Sequence, residues 1–252
     1  MKEIIQPVDK KLLEHELSKN RFVRHANNGN NQIFVITHHD SPNVMREIAR
    51  LRELTFRAAG GGTGKEIDID EYDTADAPYK QLLVWNNEEK EIVGGYRYIK
   101  CGEAPLDAHG IVQLATTELF RFSEKFVKEY LPYTIELGRS FVQPKFQPAV
   151  NNRKGLFSLD NLWDGLGAIV VDNPEIKYLF GKVTMYTDFN PIARDMILAF
   201  MNHYFPDKEN LVRPHKPLSL PSDKSGLVEQ LKGLDYKDGH AVLNKNVRAL
   251  GE

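Results

Sequence analysis

Glu136 and Arg139 lie inside Tyr133-Thr134-Ile135-Glu136-Leu137-Gly138-Arg139-Ser140-Phe141-Val142, a stretch that otherwise reads as a buried strand. Ionised groups are costly to remove from water unless they are paired or used. Such a strand therefore holds an ion pair or lines a site. More charges sit beside apolar runs: Arg52 in a leucine-rich helical pattern, Asp70 and Asp73 in an acidic turn, Arg97 inside the run Ile92–Ile99. As a site, they offer proton transfer by a carboxylate and ionic grip by a guanidinium. As structure, they make a buried ion-pair network. From the residues alone, both readings stand.

Residues three apart on a regular strand face opposite sides. A β-bulge inserts one residue and would bring Glu136 and Arg139 to one face, with Gly138 its natural place.

The elements that must hold these side chains follow from periodicity. Ser41-Pro42 signals a helix start, and Met45, Ile48, Leu51, Leu54 and Thr55 continue at helical spacing as far as Gly60-Gly61-Gly62-Thr63-Gly64. Gln81–Trp85 and Ile92–Cys101, joined across Asn86-Asn87-Glu88-Glu89, read as an antiparallel hairpin. Gln32–Thr37 and Lys177–Thr187 read as strands. Lys10–Lys19 reads as a short helix with Leu12, Leu13 and Leu17 on one face. Thr116–Tyr130 reads as a helix burying Leu119, Phe120, Phe126 and Val127. Leu156–Val171 and Pro191–Tyr204 complete the helices.

This order predicts an α/β chain whose mixed sheet begins antiparallel and continues through helical crossovers. One domain is expected over 1–252. It would carry a helix–strand extension over 1–40, a core over 41–205, and a tail over 206–252 that wraps the core and ends in a helix near Ala241–Leu250.

Several functional classes are poorly supported. Gly64-Lys65 would need Gly at 59 and Ser or Thr at 66 to form a phosphate loop, and the chain has Ala59 and Glu66. The glycine run reads instead as a flexible loop or a mobile lid over a neighbouring site. The acidic turn lacks the calcium-loop pattern, with Tyr72 and Asp73 where Asp or Asn and then Gly are needed. The eight histidines show no metal spacing, and Ser140 has no evident His partner. Cys101 is the single cysteine, so no intrachain disulfide forms. The balance of 33 Lys+Arg against 35 Asp+Glu argues against a nucleic-acid binder. With no signal-peptide or membrane-spanning run, a cytoplasmic location is expected.

The series Leu51-Arg52-Glu53-Leu54-Thr55-Phe56-Arg57, Asp70-Glu71-Tyr72-Asp73, Val93-Gly94-Gly95-Tyr96-Arg97-Tyr98, Glu136-Leu137-Gly138-Arg139-Ser140-Phe141-Val142 and Leu162-Trp163-Asp164-Gly165-Leu166 resembles the GNAT-fold acyltransferases that use acyl carrier protein. Nearest in pattern are the ornithine-lipid and glycine-lipid N-acyltransferases, often carrying a haemolysin label. Acyl-homoserine-lactone synthases are more distant. The likeness covers roughly residues 45–205.

The resemblance implies a GNAT fold with a splayed, bulged strand. It also implies transfer of a (3-hydroxy)acyl group from acyl carrier protein to the α-amine of an amino acid, glycine or ornithine. Glu136, Arg139, Asp70 and Asp73 would be catalytic, with Glu136, Asp70 or Asp73 accepting the amine's proton through a water. Arg52, Phe56, Arg97 and Ser140 would bind substrate. Phe141, Val142, Lys145, Arg153, Lys154 and Gly155 would meet the phosphopantetheine or its carrier.

Coenzyme A users of this fold carry Q/R-x-x-G-x-G/A after the strand, where backbone N–H groups grip the pyrophosphate. Here Gln143-Pro144-Lys145-Phe146-Gln147-Pro148 follows, which favours a carrier-borne acyl-phosphopantetheine co-substrate and no resident cofactor. Peripheral contact with the inner membrane surface is implied for such a lipid-making enzyme. Trp163, Leu166, Ile169 and Val170 are expected in the core, part of that face walling an acyl tunnel. The rival readings are an autoinducer-type synthase on the same fold and a catalytically silent binder of an acyl chain or partner.

Overall fold

A six-stranded mixed sheet organises the chain; in spatial order its strands span Phe22–His25, Asn31–Ile36, Lys80–Asn86, Glu91–Lys100, Thr134–Val142 and Tyr178–Gly181. The computed structural model describes residues 1–147, 155, 157–218 and 226–251. They form two compact units: Met1–Thr116 with Lys128–Lys182, and Thr117–Val127 with Val183–Glu252.

In the first unit, α1 (Lys10–Glu16), β1 (Phe22–His25), β2 (Asn31–Ile36) and α2 (Pro42–Ala58) lead to a short turn of helix, α3 (Glu71–Thr74). Then come β3 (Lys80–Asn86), β4 (Glu91–Lys100), β6 (Thr134–Val142), α4 (Ser158–Asp172) and β7 (Tyr178–Gly181). All neighbouring strands are antiparallel except β6 and β7, which run parallel. Residues 1–40, expected as an extension, thus supply the two outermost strands on one side.

Strand alternation sends successive side chains to opposite faces, and both faces are covered. Phe34, Leu83, Trp85 and Phe141 pack beneath Val44, Met45, Ile48 and Leu51 of α2. Ile33, Leu82, Val84 and Ile135 pack against Leu162, Leu166 and Ile169 of α4. Each such fully buried side chain contributes about 1.5–3 kcal/mol.

Helix α2 starts at Pro42 as its sequence signals, yet the Ser41 side chain does not cap it. The cap comes from α1: Glu16 accepts from the Asn43 and Val44 N–H groups at 3.1 and 2.8 Å. A carboxylate there satisfies orphan donors and complements the helix dipole.

The second unit holds β5 (Phe120–Phe122) paired with β8 (Val212–Pro214). Its helices are α5 (Pro191–Tyr204), α6 (Leu227–Leu231) and α7 (Tyr236–Ala249). Met196, Phe200, Leu227, Leu231 and Leu243 form its core. The segment 206–252, expected as a tail, therefore clusters with α5. No helix among the described residues is long and apolar enough to cross a membrane.

Three expectations need correction. Thr116–Tyr130 is not a helix. Phe120-Arg121-Phe122 alternates with the period of a strand and pairs as one, a single π-helical turn follows at Phe126–Tyr130, and Leu119 and Val127 are exposed. The strand expected over Lys177–Thr187 stops at Gly181, because its partner β6 ceases to pair beyond Leu137. Trp163 is 57% exposed, being one position off the stripe Leu162, Leu166 and Ile169 that packs on the sheet.

Candidate active site

Strand β6 carries a bulge where the sheet opens. Against β4, Gly138 pairs with Arg97 and Phe141 with Gly95, so Arg139 and Ser140 together oppose Tyr96. The extra residue is Arg139, whose φ of +49° is left-handed, and not Gly138 as the sequence suggested. A Cβ on Gly138 would meet nothing within 4 Å. Gly94 and Gly95 differ: a Cβ on the first would collide with the Phe141 carbonyl, and one on the second would lie 2.6 Å from the Leu82 carbonyl. These two glycines let β3, β4 and β6 approach one another; Gly138 borders open space.

The bulge has the expected consequence. Register places Gln81, Arg97 and Gly138 in one row across β3, β4 and β6, with Glu136 opposite Ile99 two rows on, and so on the same face. Arg139 reaches this same face toward the turn before α3: its Nη1 and Nη2 donate to Asp68 Oδ2 at 2.8 Å and Asp70 Oδ2 at 3.0 Å. Glu136 and Arg139 do not pair with each other. Glu136 accepts instead from the Tyr79 hydroxyl at 2.9 Å and from the Thr116 hydroxyl.

Behind them runs an alternating chain of charge. Arg97 donates to Asp70 at 2.5 Å and lies 3.4 Å from Asp73, while its guanidinium covers the rings of Tyr79 and Tyr72. Asp73 pairs with Arg52 at 3.1 Å and accepts from Gln81 and from the Asp70 N–H in a capping box. Arg52 also donates to Gln81 and is wholly buried. Burial lowers its hold on the proton, an effect that Asp73 offsets only in part and that the Arg97 charge adds to. Arg52, expected to bind substrate, and Asp73, expected to be catalytic, are thus spent inside the protein. They position Arg97 and Asp70. Phe56 is partly buried and packs against the core beneath α2.

The accessible members are Arg139, 31% exposed, and Asp70, 21% exposed. Their electrostatics separate the carboxyls. Burial alone would raise Asp70, but Arg97 and Arg139 hold it below the usual carboxylate range. Burial raises Glu136, only partly offset by the Thr116 and Tyr79 hydroxyls and by Arg97, and burial raises Asp68 against the pull of Arg139. A carboxyl raised toward neutrality is the better proton acceptor; of the two raised here, Asp68 is held by Arg139, while Glu136 meets hydroxyls and is the candidate acceptor.

The other expected site residues lie along β6 and beyond. Ser140 is exposed within the bulge. Phe141 is buried against α2, and Val142 packs on the opposite core. Lys145, exposed, pairs with Glu89 and Glu91 at 3.1 and 2.9 Å. Gly155 is buried, while Arg153 and Lys154 lie outside the described residues. Between Gly138 and Val142, the edge of β6 away from β4 has no strand partner among the described residues, because β7 pairs only with Thr134–Leu137. That is a splay.

Sequence reasoning missed Tyr79, Gln81, Thr116 and Lys182. Gln81 had a signal, a polar residue at the inward parity of an apolar strand. Thr116 had none once its segment was read as a helix. Lys182 directly follows the last β7 pair, and partial desolvation and then the Arg139 and Arg97 cations lower its proton affinity. The glycine run is not a loose lid: buried Glu53 accepts from the Thr63 N–H, the Thr63 hydroxyl and the Gly64 N–H at 2.7–2.9 Å.

Comparison with known proteins agrees with this architecture. A family model described as an acetyltransferase (GNAT) domain matches residues 51–152. The glycine N(alpha)-acyltransferase of Phocaeicola vulgatus is 55% identical over 252 residues, all of this chain and 77% of that protein. That of Bacteroides thetaiotaomicron is 54% identical over 251 residues, 100% of this chain and 74% of its own.

Proposed function

The chain belongs to the GNAT acyltransferases, and from that premise we propose that it joins a fatty acyl group to the α-amine of glycine. The observation that carries this reading is the bulge on β6. It sets the half-exposed cation Arg139 and the buried carboxyl Glu136 on one face, where β6 and β7 part. The acceptor is taken from the names of the two relatives.

Glycine presents a carboxylate and an ammonium. Arg139 is suited to the carboxylate: two of its five N–H groups hold Asp68 and Asp70, and on this partly exposed side chain the others remain to donate. The ammonium must lose a proton before its nitrogen can attack, and Glu136 accepts it through a water. The nitrogen then adds to the thioester carbonyl carbon. That addition forms the C–N bond; collapse of the tetrahedral intermediate restores the C=O bond and breaks the C–S bond. The departing sulfur takes up a proton and the amide nitrogen releases its second one. Open backbone N–H groups at the splay are suited to stabilising the transient oxyanion.

The donor in this reading is a (3-hydroxy)acyl-phosphopantetheine on acyl carrier protein. Its support is Gln143–Pro148, which lacks the glycine-rich pyrophosphate loop of coenzyme A users. The product, an N-acylglycine, would feed the assembly of a phosphorus-free membrane lipid, which accords with work at the inner surface of the membrane.

Purified protein should release free carrier thiol from 3-hydroxyacyl carrier protein when glycine is added. Release with ornithine and none with glycine would transfer the reading to the longer acceptor. No release with any amino acid would overturn it.

A further inference from the structure

Glu136 sits in the sheet with only 2% of its surface exposed, and no cation pairs with it directly among the described residues. An ionised carboxylate so placed must be held by other groups. Two hydroxyls do this, one on each oxygen: Tyr79 on Oε1 and Thr116 on Oε2. The direction of the first bond is fixed. The Ala115 N–H donates to the Tyr79 oxygen at 2.9 Å, so the phenolic proton is the one left to face Glu136. The Tyr79 ring cannot turn away, because the Arg97 guanidinium lies 5.1 Å from its centre and Tyr72 meets it edge-on at 5.6 Å.

We propose that Tyr79 and Thr116 are positioning residues that keep Glu136 oriented and ionised for proton transfer. This rests on the reading of Glu136 as the base. Each carboxylate oxygen retains a second lone pair, so the hydroxyls fix the plane of the group without blocking it.

The titratable groups facing Glu136 are Tyr79 before β3, Arg97 on β4 and Cys101 just after β4. Burial, and then Glu136 itself, raise the Tyr79 phenol; the same two causes push the Cys101 thiol up to about 12. Both stay neutral over the working range and Arg97 stays charged. Among these four groups, Glu136 is therefore the one that titrates. Removing a hydroxyl that donates to its ionised form makes it harder to ionise.

The test is the pH dependence of kcat/KM in wild type, Tyr79→Phe, Thr116→Val, Thr116→Ser and Glu136→Gln. Tyr79→Phe and Thr116→Val should each move the acid limb to higher pH by about one to two units, as expected for one hydrogen bond to a charged group. Thr116→Ser, which keeps the hydroxyl, should restore the limb. Should Tyr79→Phe fail to fold, the two Thr116 variants decide alone. A rate that falls equally at every pH, with the limb unmoved, overturns the role of the hydroxyls. A wild-type rate in Glu136→Gln overturns the base reading itself, so the two failures are distinct.

Discussion

Glu136 and Asp70 are both carboxyls within one charged cluster, yet their surroundings suit them to different work. Asp70 sits between Arg97 and Arg139 and stays ionised as a fixed counter-charge. Glu136 meets hydroxyls rather than paired cations, and burial leaves it readier to take a proton. Glu136→Gln should lower turnover about 10²–10⁴-fold, the range of a general base. Its melting temperature should stay close to wild type, because the amide can still accept one of the two hydroxyl bonds. Asp73→Ala should behave in the opposite way. It strips the partner from wholly buried Arg52 and removes a contact of Arg97, and a broken buried pair costs about 3–5 kcal/mol. Chemical denaturation would show that loss before any assay did.

At the scale of elements, the bulge and the splay make the site. Gly138 and Gly95 separate the two demands. Gly95→Ala should destabilise the sheet, since its Cβ would press on the Leu82 carbonyl 2.6 Å away. Gly138→Ala should fold normally, since open space receives its Cβ, and should slow turnover if that space admits substrate. Paired melting and rate measurements on the two variants check both statements.

Much of this architecture was legible in the sequence. Two apolar runs joined across Asn86–Glu89 marked β3 and β4, helical spacing marked α2, a proline start marked α5, and two charges astride a glycine marked the bulged strand. What the sequence hid was relational. Arg139 adopts the left-handed conformation, and its guanidinium bridges Asp68 and Asp70, about 70 residues earlier in the chain. Thr116 reaches Glu136 only because Thr116–Tyr130 is not the helix its composition suggested. Trp163 looked like core because a one-residue offset around a helix is invisible without the partner sheet.

For the whole molecule, the opposed shifts set a pH dependence. Asp70, Glu53 and Asp40 have lowered values in the fold, so their contribution is present above the unfolded value and is lost as pH falls through the folded one. Glu136 and Asp68 are raised, so theirs is present below the unfolded value and is lost as pH rises through the folded one. The stability of Glu136→Gln relative to wild type should therefore improve as pH rises from the unfolded glutamate value, about 4.3, through the raised folded one, where wild type must ionise a buried carboxyl. Urea unfolding of both proteins across that interval measures it.

The central claim is that this chain acylates glycine at the β6 bulge with Glu136 as base. Mass spectrometry of the product formed from nitrogen-labelled glycine and 3-hydroxyacyl carrier protein tests it most directly. The account predicts labelled N-acylglycine from wild type and at least about 100-fold less from a folded Glu136→Gln protein. Labelled product in equal amounts from both, or none from wild type, would contradict it.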